Sequence, residues 1–185
     1  MSLQTWQETL VVAQVDGTAL TAAAAASCIP AAAKYTLPAN FFGTVGKTIR
    51  ITASGRITSL ITTPGTARFD VRFGAAVVAD SLAILLDTVA GHTNVGWTLQ
   101  WLLTCRAIGT AGNLFVQGQW ASEDILGSIA APPKGQLVAQ LPWNAAPAVG
   151  ANFDTTVSQV VDMFFTQTVV TGSMTLHQYM IEALN

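Results

Sequence analysis

The residues of this chain that could hold a metal or move a proton are few and far apart. The two histidines are His92, in a turn next to Gly91, and His177, in a strand-like segment with Thr175 and Tyr179 at the same parity. No H-x-H, H-E-x-x-H or C-x-x-C spacing occurs, so the usual zinc-binding patterns are absent. We therefore interpret both histidines as surface or hydrogen-bonded polar residues, and we predict no metal site and no cofactor.

Glu123 and Asp124 are the only adjacent carboxylates. In a strand, neighbouring side chains point to opposite faces, so this pair is poorly placed for shared acid–base work. We interpret the pair as part of a solvated loop. Calcium binding there is the alternative, because carboxylate oxygens are the ligands that calcium prefers.

Nucleophile and phosphate-binding motifs are incomplete. Ala53-Ser54-Gly55 lacks the first glycine of a G-x-S-x-G elbow. The segment 43–48 ends like a P-loop but lacks the first glycine of that motif, and a strand pattern follows it. A P-loop needs a helix N-terminus at that place to hold phosphate. The sequence predicts that the protein is not an enzyme.

Cys28 and Cys105 are the two cysteines and are distant in sequence. In a reducing compartment such residues are typically buried thiols that pack as small hydrophobic groups. We adopt that interpretation, with a bridge between the two as the alternative.

Tryptophan could serve as a stacking platform for sugar rings, and the chain has five. Trp97 and Trp101 share parity with apolar neighbours, which predicts core positions for them. Trp143, between Pro142 and Asn144, is predicted to lie in a loop. It is therefore the candidate carbohydrate contact, although packing in a core or subunit interface is the commoner role of tryptophan.

The elements that position these residues have the two-residue period of β-strands. In three segments apolar residues alternate with polar ones, which predicts one buried and one wet face per strand. The apolar sets are Ile49, Ile51, Ala53 and Ile57; Ala67, Phe69, Val71 and Phe73; and Trp97, Leu99, Trp101, Leu103 and Cys105.

Nine or ten strands separated by Gly- and Pro-containing turns predict an all-β fold. Strands at this spacing indicate a β-sandwich or a barrel. We predict an antiparallel β-sandwich, and strands near ten residues long favour a jelly roll over an immunoglobulin-like sandwich. The Ala-rich segment at 19–33 is predicted to be a loop with a short helical turn. We place residues 1–185 in one domain, with 1–20 as an N-terminal contact arm and Tyr179–Asn185 as a second contact segment.

Charged residues make up only 10% of the chain, against about 25% in an ordinary soluble domain. The chain is 51% hydrophobic, with a mean hydropathy of +0.46. The apolar stretch from Ala75 to Leu86 is interrupted by Asp80 and is too short to span a membrane. A net charge of −2 without a basic patch argues against nucleic acid as a partner. Copies of the chain or a larger assembly are therefore expected to cover its outer faces.

Two features indicate where such contacts lie. Arg68, Asp70 and Arg72 alternate on one strand face, which predicts a cross-strand or intersubunit charge ladder. Tyr179 is a further candidate for contact with a second copy or with a larger assembly. The predicted wet positions between 155 and 175 carry Thr, Ser and Gln with a single ionisable residue, whereas exposed strands usually carry charges that discourage pairing.

Several segments resemble virion structural proteins of tailed bacteriophages. They are residues 6–20, 35–42, 62–74, 103–109 and 176–185, which begin with Trp6-Gln7-Glu8 and end with Glu182-Ala183-Leu184-Asn185. The resemblance implies a jelly-roll capsid decoration (cement) protein that forms a homotrimer on the major capsid protein. It implies location on the capsid surface of the virion, and it brings no catalytic residues. The N-terminus has no secretory signal pattern, so synthesis in the bacterial host cytoplasm is expected.

A second function fits the same observations. The chain could be a carbohydrate-binding head of a phage tail fibre or spike, with Trp143 as the sugar contact.

Overall fold

A computed structural model describes residues 6–125 and 138–185. Within these ranges the chain forms thirteen strands and one 3-10 turn, Ala31–Ala33. The strands are β1 (Glu8–Val12), β2 (Ala26–Ser27), β3 (Tyr35–Leu37), β4 (Thr48–Ser59), β5 (Thr66–Phe73), β6 (Ala76–Asp80), β7 (Ile84–Leu85), β8 (His92–Ala107), β9 (Asn113–Ser122), β10 (Val138–Leu141), β11 (Ala148–Val149), β12 (Gln159–Gln167) and β13 (Ser173–Ala183).

The strands form two antiparallel sheets. The larger sheet has the order β1-β13-β4-β8-β9-β10, with β11 also paired to β9. The smaller sheet has the order β2-β12-β5-β6, with β3 beside β12 and β7 beside β5. The predicted all-β sandwich is therefore confirmed.

The strand order is that of a jelly roll. Eight strands form two four-stranded sheets, β1-β13-β4-β8 and β3-β12-β5-β6, and along these eight strands the chain crosses between the sheets after β1, β3, β4, β6, β8 and β12. This double Greek-key order defines the jelly roll. Strands β9 and β10 extend the larger sheet beyond β8. The predicted strand count of nine or ten is too low because β2, β3 and β11 are strands of two or three residues without a visible period.

The core lies between the sheets and contains the residues that the period predicts. In β4, β5 and β8 every apolar residue of the three alternating sets is at most 2% exposed. Phe69 of β5 lies at its centre, with ring-centroid distances of 5.2 Å to Trp97, 5.3 Å to Trp120 and 5.2 Å to Phe165. Such aromatic packing joins the two sheets and excludes water between them.

The Ala-rich segment contains the short helical turn that its composition predicts. Pro30 precedes this turn and Ala33 is buried within it, whereas residues 22–24 form bends without helix. Both cysteines are free, buried thiols, as the first of the two interpretations predicts. In the described part of the chain, no helix has the length and apolar character that a bilayer crossing requires.

A β-bulge in β13 reverses the parity of its side chains. His177 is the extra residue, since Leu176 lies opposite Gly55 and Gln178 lies opposite Ser54. Met174 and Leu176 face the core before the bulge, and Tyr179 does so after it. The expectation that His177 shares the parity face of Tyr179 is therefore wrong, because an inserted residue shifts the alternation by one.

The two chain ends are bound to the domain itself. Residues 8–12 form β1 against β13, and the backbone N–H groups of Ala13, Gly17 and Leu20 continue this contact with bonds of 2.8 Å each to carbonyls of 174–179. At the other end, β13 is paired on both sides, and the Asn185 side chain accepts a bond of 2.7 Å from the Thr48 N–H. Both described segments thus lie along the domain, with β1 as an edge strand of the larger sheet. Their role as contact segments stays a prediction, and residues 1–5 lie outside the described range.

At Gly55 of β4, the neighbouring strand β13 and the Trp97 ring of β8 approach the backbone closely. A Cβ at this position would overlap the carbonyl oxygen of Thr175 and lie 2.8 Å from the Trp97 ring. We expect Gly55→Ala to lower the free energy of unfolding by about 2 kcal/mol, because overpacking forces the backbone to shift. Urea denaturation measures this loss.

The matched control is Gly96→Ala in β8, where a Cβ meets no atom within 4 Å. Alanine at that strand position should leave the stability unchanged or raise it slightly. Equal losses for the two variants would contradict the packing described here.

Candidate functional site

The outer face of the smaller sheet carries the predicted charge ladder. Arg72 donates to Asp70 through Nε at 2.5 Å, and Arg68 donates to Asp80 of the neighbouring β6 through Nε at 2.8 Å. These hydrogen bonds raise the pKa of both arginines. The ladder is therefore cross-strand through Arg68, while Asp70 bonds to Arg72 of its own strand.

A third ion pair extends this strip of charge. Lys34 donates to Asp162 at 2.6 Å, and the Ser27 hydroxyl donates to the same carboxylate at 2.7 Å. The Arg72 guanidinium also lies over the Phe164 ring, 3.7 Å from its centroid. Each of the three cations thus has a carboxylate partner within the subunit, so the strip carries no excess charge for a neighbour.

The Tyr179 side chain lies in the core, whereas a contact residue must lie on the surface. Its side chain is 1% exposed in the core, and its hydroxyl has no hydrogen-bond partner among the described residues. Burial raises the pKa of this hydroxyl. The prediction of a subunit or capsid contact by the Tyr179 side chain is corrected, because the bulge at His177 turns it inward.

Trp143 is half-buried and packs against the core. Its backbone N–H donates to the Ser81 carbonyl at 2.8 Å. Next to it, Pro142 and the segment 145–151 form a groove of about 430 Å³ against β6, with the Arg68–Asp80 pair in its lining. The groove is mostly apolar, and Trp143 is not among the described residues that line it.

A buried polar cluster lies where β4, β8 and the end of β9 meet. Ser59 donates to Asp124 at 2.8 Å, and His92, opposite Ser59 on β8, contacts Asp87 at 3.1 Å. Asp124 is fully buried, and its second oxygen has no partner among the described residues. The predicted solvated loop is therefore wrong for Asp124 and correct for the exposed Glu123.

The cluster connects strand ends and offers little for catalysis. The Ser59 hydroxyl donates to the Asp124 carboxylate, and both residues are at most 1% exposed, so a substrate in solution does not reach this hydroxyl. Burial raises the pKa of Asp124. Burial also opposes ionisation of Asp87, but hydrogen bonds from the Val89 N–H and from His92 lower its pKa overall. Within residues 6–125 and 138–185, no three His, Cys, Asp or Glu side chains gather as a metal site would require.

One end of the sandwich exposes aliphatic side chains. The loops 60–65, 86–91 and 168–172 meet there: Thr63 and Thr171 hydroxyls are 3.3 Å apart, and a Cβ on Gly91 would lie 3.5 Å from the Ile61 nitrogen. We name this end the apolar tip, and its exposed large side chains are Leu60, Ile61, Val89 and Val170, at 46, 47, 65 and 70% exposure.

The sequence analysis does not predict the apolar tip, although the sequence contains a signal for it. The pairs Leu60-Ile61 and Val169-Val170 each adjoin a turn, and apolar pairs beside turns are easily assigned to strand ends. Asp87 is the one ionisable residue in the sequence of these three loops. Its carboxylate contacts the His92 ring at 3.1 Å. An exposed apolar surface of this kind is typical of an interaction site.

The outer face of the larger sheet is uncharged at its middle. A row of directly opposed residues crosses all six strands. Three hollows, of about 310, 240 and 220 Å³, follow this row. Thr52 lines the first two, and Gln100 and Gln119 line the last two. We name the row and its hollows the amide trough, and the row consists of Val12, Met180, Thr52, Gln100, Gln119 and Gln140.

Comparisons with known proteins do not assign this chain to a family. No protein-family model matches the chain, and no curated protein matches it in sequence. Among solved structures, the chain is similar to the CBM2 module of the evolved Dit of Lactobacillus casei BL23 phage J-1. That similarity has 10% sequence identity, covers 82% of this chain and 68% of the other, and has a TM-score of 0.34. A TM-score this low supports no inference about function.

Replacement of Asp124 should change how stability depends on pH. Because the pKa of Asp124 is raised in the folded state, the folded protein holds this proton more tightly than the unfolded chain does. Stability is therefore lost as the pH rises above the ordinary value of 3.8. We expect the free energy of unfolding of Asp124→Asn to rise relative to wild type between about pH 3 and pH 7.

Urea denaturation across this pH range measures the difference. Glu123→Gln removes a charge from the exposed neighbouring position and serves as the control. If the free energies of unfolding of wild type and Asp124→Asn differ by the same amount at every pH, the buried carboxylate is not the source of the pH dependence.

Proposed function

We propose that this chain is a structural subunit of a tailed-phage virion, which forms a homotrimer and binds the outer surface of the capsid as a decoration protein. It acts without catalysis and without a cofactor. The observation that carries the proposal is the apolar tip, which exposes four large aliphatic side chains on a chain that is only 10% charged.

The tip is a suitable assembly contact because its burial has no electrostatic cost. Complete burial of an aliphatic side chain contributes about 1.5–3 kcal/mol, so these half- to two-thirds-exposed groups would each contribute about 1 kcal/mol. That gain is modest for one subunit. In a symmetric oligomer on a symmetric shell the same contact is repeated, and multivalency then raises the overall affinity.

The phage assignment is supported by the resemblance in sequence. Its segments lie on β1, β3, β5, β8 and β13, in both sheets. The major capsid protein is the proposed partner, and the capsid surface is the proposed location. Stabilisation would be mechanical, since each subunit that spans a junction adds contacts that must break before the shell opens.

A second function is favoured by one observation. Trp143 is half-buried and follows Pro142, which lines the groove of about 430 Å³ at the edge of β6, and a partly exposed indole is suited to stacking against a sugar. Under this alternative the chain is the carbohydrate-binding head of a tail fibre or spike.

Light scattering of the purified chain tests self-association. We expect a homotrimer, well above the monomer mass of 19.4 kDa. The double variant Val89→Asp/Val170→Asp should shift the mass towards the monomer, because two carboxylates in the apolar tip would have to be desolvated.

The matched control is Ile108→Asp/Val157→Asp, which places the same charges on similarly exposed positions at the opposite end of the sandwich. It should stay oligomeric. A monomeric wild-type protein would contradict the trimer, and equal dissociation of both variants would contradict the role of the tip.

Co-sedimentation with expanded empty phage capsids tests the capsid site. We expect saturable binding that Trp143→Ala leaves unchanged and that the tip variant weakens. If the protein instead binds host polysaccharide, does not bind capsids, and loses polysaccharide binding in Trp143→Ala, the alternative function is correct.

A further inference from the structure

The amide trough offers hydrogen-bonding groups that the protein itself does not use. Gln100, Gln119 and Gln140 lie directly opposite one another on β8, β9 and β10, and Gln117 lies in the next row. All four side chains are exposed, and none of their amides has a hydrogen-bond partner among the described residues. Each amide presents a carbonyl acceptor and two N–H donors. Gln100, Gln119 and Gln140 therefore place hydrogen-bond donors and acceptors side by side on this face.

The lining of the amide trough excludes charged ligands as its best partners. Among the described residues, the linings of the three hollows contain no Lys, Arg, Asp, Glu or His. In the adjacent row, Arg50 and Glu182 are bonded to each other at 2.8 Å. Nothing in the lining would compensate a sulfate, a phosphate or a carboxylate, so the complementary ligand is neutral and rich in hydroxyl groups.

The shape of the trough indicates an extended ligand. The row crosses six strands, and five inter-strand steps of about 4.8 Å give a length of about 24 Å. The hollows adjoin because Thr52 lines two of them, and Gln100 and Gln119 also line two. Exposed Leu102 and Val138, at 43 and 41%, supply apolar surface beside the amides. An extended chain of several sugar units combines hydroxyl groups with apolar ring faces in this way.

We propose that the amide trough is a binding site for a neutral polysaccharide chain, which lies across the strands of the larger sheet and hydrogen-bonds to Gln100, Gln119 and Gln140. The site is separate from the apolar tip and from Trp143, neither of which lines it. A virion subunit docked through its tip would keep this lateral face exposed. Binding to one subunit is weak, and many copies on a particle make it effective by multivalency.

Isothermal titration with neutral and charged hexasaccharides tests the proposal. The probes are cellohexaose, maltohexaose and xylohexaose, with hexagalacturonate as the charged comparison. We expect binding of at least one neutral probe and none of the charged one. Gln119→Ala should weaken that binding about two- to tenfold, since it removes one or two hydrogen bonds, and Gln100→Ala/Gln119→Ala should abolish it.

Three variants separate this site from the alternatives. Gln14→Ala, an exposed glutamine outside the hollows, should bind like wild type, and so should Trp143→Ala and Val89→Asp/Val170→Asp. If Val89→Asp/Val170→Asp still binds the oligosaccharide, the sugar site does not depend on the apolar tip, and it can be correct even if the capsid proposal fails. Failure of every neutral probe to bind, or binding lost in Trp143→Ala and kept in Gln119→Ala, overturns the proposal. Dissociation of the oligomer in Gln100→Ala/Gln119→Ala also overturns it, since the trough would then be a subunit interface.

Discussion

The packing of Phe69 between the two sheets is the contact on which the rest of the structure depends. Its ring touches tryptophans of β8 and β9 and a phenylalanine of β12, so one side chain connects both layers. The indole N–H groups of Trp97 and Trp120 have no partners among the described residues. The core thus accepts unsatisfied donors, which is destabilising, and the large apolar area of the rings offsets this cost. Dense aromatic packing keeps the sheets rigid enough to hold loops and faces in fixed positions.

The few charges of this protein are used within the subunit. The pairs Arg68–Asp80, Arg72–Asp70, Lys34–Asp162 and Arg50–Glu182 all join elements of the same chain. The carboxylate of each pair is more buried than its cation, so the cation stabilises a charge that would be costly to bury alone. The pairs also affect the surface, since each pair removes a charge that could steer a partner or repel a copy. The apolar tip and the uncharged sheet face are therefore the surfaces left for recognition.

The two surfaces differ in the kind of partner that they suit. The apolar tip consists of loop side chains that gain free energy from losing water, which favours a protein neighbour. The amide trough is a concave row of polar groups on rigid strands, and it favours a hydroxyl-rich ligand that can replace water at each amide. Their separation allows a subunit to be attached at one end and to bind along its flank. This division agrees with the proposed role of a virion component at the particle surface.

The sequence by itself determined the faces of the strands, because alternation with a period of two is a local property of the backbone. It predicted the sandwich, the core residues of β4, β5 and β8, and the buried cysteines. It could not predict the burial of Asp124 or the inward turn of Tyr179. The first depends on β4 and β8 meeting the end of β9, and the second on a bulge set by pairing with β4. The tip and the trough were likewise decided by tertiary structure, since each joins residues far apart in the chain whose proximity no local pattern encodes.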